Sequence, residues 1–296
     1  MRIENRQLRA FVMVADKLHF GQAAAALSLT QPALSRTIQQ LEDAVGVALL
    51  MRSNRNVALT EAGSVFLKRA RRLLEDLDDA VDEARRAGSG EIGRLRLGYT
   101  DFAIMGPLPE IIERFRQGFP EINIELFYGP SHVQMQSLND DKLDFAFLSE
   151  TGDATDIQCL EVQQESFVVL LYEGHPLASK ARLGVEDLQG ERLVLGAEKN
   201  WGPFRRDLDA IFQECGMRPN IVQEGFNSES IFGLVASGTG VSIHLECAGN
   251  YMRKGVVIRP LANVDRRYLL KAVWRNRPLT PAQQRFYDHL RKWVSS

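Results

Sequence analysis

Between residues 61 and 87 the chain carries an apolar stripe too narrow to close a core of its own. Leu67, Ala70, Leu74, Leu77, Val81 and Ala84 recur at spacings of 3-4-3-4-3. Asp76, Asp78, Asp79, Asp82, Glu83, Arg85 and Arg86 crowd the remaining faces. A heptad seam sustained over about three repeats is the pattern of a helix that pairs with another helix. The segment is therefore expected to be one long linker helix, capped by Thr60, whose seam dimerises. It divides the chain into residues 1–60 ahead of it and 94–296 behind it, with 88–93 as a hinge.

Ahead of it, the apolar period is that of short helices. Leu8, Phe11, Val12, Ala15 and Leu18 share one helical face, and a tight second helix follows over Gln22–Leu27 from Gly21. After the turn Ser28-Leu29, Thr30 caps a third helix, and Pro32 is tolerated in its first turn because its missing N–H needs no partner there. Leu34, Ile38, Leu41 and Val45 turn inward, Gly46 ends the helix, and Gln31, Ser35, Arg36, Gln39 and Gln40 face outward. Leu49–Arg52 and Val57–Leu59 then flank the polar turn Ser53-Asn54-Arg55-Asn56 as a two-stranded wing. This is a winged helix-turn-helix, a form that lays its second helix in the DNA major groove.

Charge agrees with that use. Residues 1–72 hold eleven basic and five acidic side chains, a net of +6, which leaves −8 of the total −2 to the rest. A basic end on an acidic body points to a polyanionic partner at one end only. Gln31 can pair with adenine and Arg36 with the N7 and O6 of guanine, while Pro32 can touch a thymine methyl. Thr30, Ser35 and Gln39 suit phosphate or base contacts, and Arg52 and Arg55 of the wing suit the backbone or the minor groove. A merely solvated helix face is the competing explanation at this point.

Several classes fall away. The longest apolar runs, such as Ala10–Ala15 and Phe167–Tyr172, span six residues, whereas a membrane-spanning helix needs about 20. Asp16 and Lys17 cut short the first apolar stretch, so no signal peptide is expected. Cys159, Cys215 and Cys247 are odd in number and far apart, which suits reduced thiols in a cytoplasmic protein and no metal site. Gly88-Ser89-Gly90-Glu91-Ile92-Gly93 matches G-x-G-x-x-G, but it follows a helix and precedes a strand, the reverse of a dinucleotide loop. No nucleophile elbow, zinc-protease or Walker pattern is present, so an enzyme is not expected, nor is a cofactor.

Residues 94–296 alternate strand and helix. Strands are expected at 94–99, 122–127, 143–148, 167–172, 192–195, 241–245, 256–258 and 268–274. Helices are expected at 108–117, 133–139, 203–214, 228–237 and 281–294. Such alternation predicts an α/β fold with largely parallel sheets. Its length suggests two lobes about a cleft: 94–162 with 268–296, and 163–267. The chain as a whole reads as a small α+β domain followed by an α/β domain.

The stretches Leu18–Ala24, Leu29–Arg36, Gln40-Leu41-Glu42, Val45-Gly46, Leu49–Arg52 and Val57–Gly63 resemble those of the LysR-type transcriptional regulators. The resemblance runs along the whole chain. It implies a DNA-binding regulator controlled by a small molecule, a dimer of dimers on an AT-rich interrupted dyad, and contact with RNA polymerase. It also implies a periplasmic-binding-protein-like effector domain whose cleft is lined by Thr100–Phe102, Ser131 and the segments around Trp201 and Asn227. Gly21 stands where the family often has a capping Ser or Thr, and Gln22 where related sequences often carry Arg.

Strand carboxyl ends and helix starts place Thr100, Asp101, Phe102, Ser131, His132, Leu148, Trp201, Phe204, Phe226 and Asn227 as the effector-binding set. Each has a second reading: Asp101 and Asn227 as helix caps, Trp201 as a packed loop ring, His132 as an exposed loop residue. His244 reads as an interior histidine. The aromatic residues suit a flat ligand, and an aromatic or hydroxylated acid is expected; because Asp101 would repel a carboxylate beside it, either Asp101 points away or the effector meets it with a hydroxyl, an amine or another polar group. Redox sensing through a cysteine is the variant reading.

Overall fold

A computed structural model describes residues 3–52, 57–150 and 156–295. The chain divides into two units, one ending at Arg86 and the other beginning at Ala87.

The first unit opens with α1 (Asn5–Lys17), α2 (Phe20–Ala26) and α3 (Gln31–Val45), followed by β1 (Leu50–Arg52), β2 (Val57–Leu59) and α4 (Glu61–Ser89). Phe11 and Val14 of α1 meet Leu34, Ile38 and Leu41 of α3, all of them fully buried. The expected cap of α2 is displaced: the helix starts at Phe20, and Nδ1 of His19 accepts the N–H of Gln22 at 3.2 Å. Thr30 and Gly46 bound α3 as expected, the former accepting from Ala33 N at 3.4 Å and the latter at φ 82°. β1 and β2 pair antiparallel as the wing, Leu50 opposite Leu59. Oε1 of buried Glu42 accepts the N–H groups of Leu49 at 2.8 Å and Leu50 at 3.0 Å, tying the end of α3 to the wing.

The start of α4 is fixed by close backbone approach. Thr60 Oγ1 accepts from Gly63 N at 2.8 Å and donates to Ala48 O at 2.9 Å. A Cβ on Gly63 would lie 2.0 Å from the Leu49 carbonyl oxygen, so only glycine fits. The seam expected along this helix then splits in two. Leu67 and Ala70 are buried in the core of the first unit, and Leu74 is half-buried. Leu77 and Val81 remain 43% and 42% exposed, with Ala84 exposed beside them.

The expected hinge at 88–93 is partly structured. Helix α4 continues to Ser89, whose carbonyl accepts from Arg285, and Gly90 is buried. From there the second unit runs β3 (Gly93–Tyr99), α5 (Asp101–Met105), α6 (Leu108–Gly118), β4 (Ile122–Tyr128), α7 (Ser131–Asn139), β5 (Phe145–Leu148) and β6 (Ile157–Glu165). Then come β7 (Phe167–Tyr172), β8 (Arg192–Gly196), α8 (Glu198–Glu214), β9 (Asn220–Gly225), α9 (Ser228–Ala236) and β10 (Ser242–Leu245). The unit closes with β11 (Val256–Pro260), β12 (Tyr268–Arg275) and α10 (Pro281–Val294).

One lobe is a five-stranded sheet in the order β4-β3-β5-β12-β6. The other combines β10-β7-β11 with β8-β9. The chain crosses from the first lobe at Ser166 and returns at Tyr268. Parallel pairing holds for β3 with β4 and β5, and for β8 with β9. Contrary to expectation, β12 is antiparallel to β5 and β6, and β7 is antiparallel to β10 and β11. A strand that enters from the opposite lobe reaches the sheet running the other way. No helix among the described residues is long and apolar enough to cross a membrane.

Candidate functional site

Two surfaces carry the expected site residues, one in each unit. On α3, Gln31, Pro32, Arg36 and Gln39 are exposed, Ser35 is half-buried and Thr30 is the cap. Among the described residues Arg36 has no ion-pair or hydrogen-bond partner, while the Gln39 amide donates to Asp43 Oδ1 at 2.9 Å. Arg55 and the side chain of Arg52 lie outside the described residues. Of the basic cluster early in α4, Arg71 pairs with Asp16, leaving Lys68, Arg69 and Arg72 to add positive potential.

In the second unit, a cleft between the lobes is lined by Thr100, Asp101, Phe102 and Ser131, together with Trp201 and Phe204, all expected. It encloses about 30 Å³, room for about one water. The rings that were to face a ligand pack on one another instead. Phe102, 5% exposed, meets Trp201 at 5.1 Å, Phe204 at 4.9 Å, His244 at 5.1 Å and Tyr268 at 5.0 Å between centroids. Its own lobe contributes little to this cluster: α5 inserts Phe102 and Met105 into the core built by β7, β8, α8 and α9. Trp201 sits at a kink in α8 (φ −115°, ψ 18°), which is why the helix extends upstream of Pro203 to Glu198. The Trp201 ring occupies the space of a Gly196 Cβ, 2.2 Å away, and its Nε1 donates to Phe226 O at 3.0 Å.

Four expected residues fall elsewhere. Leu148 is fully buried behind the cleft with Leu138, Leu143, Ala146 and Val273. His132 is exposed on α7 and away from the cleft lining. Phe226 offers only its carbonyl, its ring being 60% exposed. Asn227 caps α9, accepting from Ser230 N at 3.0 Å, and lines a separate cavity of about 400 Å³ that shares Asp101 with the cleft. The cleft residues that sequence reasoning passed over include Tyr128 and Tyr268. Tyr128 ends β4, and strand carboxyl ends are where such clefts open.

Asp101 begins α5 but is more than a cap. Its Oδ2 accepts from Tyr128 OH at 2.9 Å, and the carboxylate also accepts the Ser228 N–H at the start of α9, so it joins the two lobes. Burial raises its pKa, and those two hydrogen bonds only partly oppose the rise. Tyr128, beside this carboxylate and partly buried, is pushed up as well. Thr100 Oγ1 donates to Phe147 O at 3.4 Å, and Tyr268 OH donates to Ser149 Oγ at 2.6 Å. Helix α7 starts at the cleft wall without a side-chain cap; Val133 and Gln134 donate their N–H groups to Pro130 O, which leaves those of Ser131 and His132, with the Ser131 hydroxyl, open to an acceptor.

Ser228 and His244 lie 2.9 Å apart between Oγ and Nε2, which invites comparison with a nucleophile and its base. The tautomer opposes it. His244 Nδ1 accepts from Leu245 N at 2.9 Å, so Nε2 carries the proton and donates it to Ser228. Full burial holds the imidazole neutral, with its pKa pushed down to about 3. The pair is structural. No group of three metal-ligating side chains occurs among the described residues.

Residues 5–64 match the bacterial regulatory helix-turn-helix protein family of the lysR type, and residues 88–295 match the LysR substrate binding domain. The transcriptional regulator AlsR of Bacillus subtilis is 35% identical over 92% of this chain and 89% of its own. The Hca operon transcriptional activator HcaR of Escherichia coli is 35% identical over 99% of each chain. Full-length CbnR, solved in complex with its target DNA, superposes with a TM-score of 0.89 at 25% identity, over 99% of this chain and all of CbnR.

Proposed function

The chain belongs to the LysR family, and we propose that it couples a small molecule held in the lobe cleft to sequence readout by α3. It is a DNA-binding transcriptional regulator with an effector-binding domain. Gln31, Ser35 and Arg36 read base edges, and Thr30, Pro32 and Gln39 fix the helix in the groove with Arg52 and Arg55 of the wing. Thr100, Asp101 and Ser131 meet the polar end of the effector, and Phe102, Trp201 and Phe204 part to admit its body. An aromatic or hydroxylated acid would place its carboxylate at Ser131 and the first turn of α7, away from Asp101.

Leu74, Leu77, Val81 and Ala84 pair two copies, while Leu67 and Ala70 hold the helix to its own domain. Two such dimers engage an interrupted dyad in the cytoplasm. Effector binding biases the relative orientation of the two lobes, which changes how the tetramer bends DNA and meets RNA polymerase. The protein works by binding, without turnover.

The observation that carries this reading is the polar outer face of α3, on which Arg36 stands free of any partner among the described residues. Selection of the full-length protein against random duplexes tests it. Recovery of an interrupted dyad is expected, with binding to the recovered duplex falling with salt at a log–log slope of about −7 to −9 for roughly 8–10 neutralised phosphates. Recovery of unrelated sequences, or a slope near zero, would overturn it.

A further inference from the structure

The cleft has a sign as well as a shape. Its lining holds five aromatic rings, those of Phe102, Tyr128, Trp201, Phe204 and Tyr268, with one carboxylate, Asp101, and no Lys, Arg or His. Two cations near the cleft are engaged elsewhere, Arg205 donating to Gly196 O and Glu224, each at 2.9 Å, and Arg206 pairing with Glu150, while Arg253 lines the adjoining cavity that shares Asp101 but not the cleft itself. Aromatic faces are negative, so rings and carboxylate together repel an anion and attract a cation. Water screens this little once the lobes close on a ligand.

Asp101 is also aimed and not saturated. Tyr128 OH and the Ser228 N–H orient it from two sides, and a carboxylate offers about four acceptor positions. Burial without a counter-ion is unfavourable for its charge. A ligand cation would supply the missing partner.

Resting on the assignment of the cleft as the effector site, we propose that the effector is a small organic cation, an ammonium-bearing molecule whose nitrogen sits on Asp101 among the aromatic rings. A carboxylate elsewhere on the same molecule belongs at Ser131. This puts a positive charge at the Asp101 end, where an aromatic or hydroxylated acid alone would place none. Because the closed cleft has room for about one water, the rings around Phe102 must separate for the ligand to enter.

Calorimetric titration of the full-length protein with 2-phenylethylamine and 3-phenylpropanoate tests the sign, since the two share a ring and nearly a length but differ in charge. The amine should bind at least tenfold more tightly, and Asp101→Asn should cost it at least tenfold while leaving the acid unchanged or improved. Equal or tighter binding of the acid, an amine unaffected by Asp101→Asn, or no amine binding at 10-mM concentrations (a weak limit of about −3 kcal/mol) would each overturn the proposal. The comparison in the unaltered protein stands whether or not the variant folds. Failure of the underlying reading looks different. An acid that binds through Ser131 and alters DNA binding sinks the charge assignment and keeps the effector site. An amine that binds through Asp101 but leaves DNA binding unchanged keeps the charge assignment and sinks the effector site.

Discussion

The outer face of α3 and the lobe cleft, the two surfaces proposed to bind, hold their side chains in opposite states. On α3 the polar groups stand in solvent, with Arg36 free of partners among the described residues. In the cleft nearly every group already has an internal partner: Phe102 has four rings around it, Asp101 has Tyr128 and Ser228, and Tyr268 has Ser149. A surface of the first kind binds without rearrangement and contributes little to folding. A surface of the second kind contributes to folding and must surrender contacts to bind.

The sharpest way to break this comparison is to strike the scaffold beneath α3. Gly63→Val drives a side chain into the Leu49 carbonyl, and a loss of about 5 kcal/mol or more is expected in denaturant titration, with DNA binding lost alongside. A folded, DNA-binding variant would show that the close approach is not needed. Next in size, Phe102→Ala should destabilise the second unit by about 3–5 kcal/mol, because it empties the centre of the ring cluster. A near-neutral result would mean that the cleft rings are not part of the core. Arg36→Ala should do the converse, leaving the melting temperature unchanged and weakening DNA binding by about 1–3 kcal/mol with relaxed preference at one base pair.

The last effect concerns pH. His244 is held neutral with its pKa near 3, below its ordinary value of about 6.5. As pH falls through that window the unfolded chain takes up a proton that the folded chain does not, so stability drops by up to about 1.4 kcal/mol per pH unit. The gap between the unaltered protein and His244→Gln should therefore shift against the former between pH 6 and pH 4. Parallel stability curves would show that His244 is not so constrained.

The same contrast explains what could be read from the sequence. The three helices ahead of residue 46, the wing and the long helix were legible because each is amphipathic with a regular period. The residues proposed to face DNA follow as the polar remainder of α3. Two strands were missed, β6 and β9, and both are sheet edges whose faces carry Gln and Glu, so neither shows an apolar run. Helix α5 is five residues long and has no period to detect. In the cleft, chain position located Thr100, Asp101 and Ser131, but only tertiary packing decides that Phe102 turns into the opposite lobe, that Leu148 turns away and that Tyr128 reaches Asp101. A short loop does not encode which wall its side chains will join.

The contact between Gly63 and Leu49 also sets an angle. With its first turn pressed on the wing and Leu67 and Ala70 seated in the core, α4 cannot rotate about its axis, so the direction of Leu77 and Val81 is locked to that of α3. An α-helix advances about 100° per residue. One residue inserted after Ala70 would swing the exposed stripe by that amount, whereas seven would return it to within about 20°. On the proposed pairing, the bearing at which a second copy approaches α3 is thus written into the count of residues between Ala70 and Leu77.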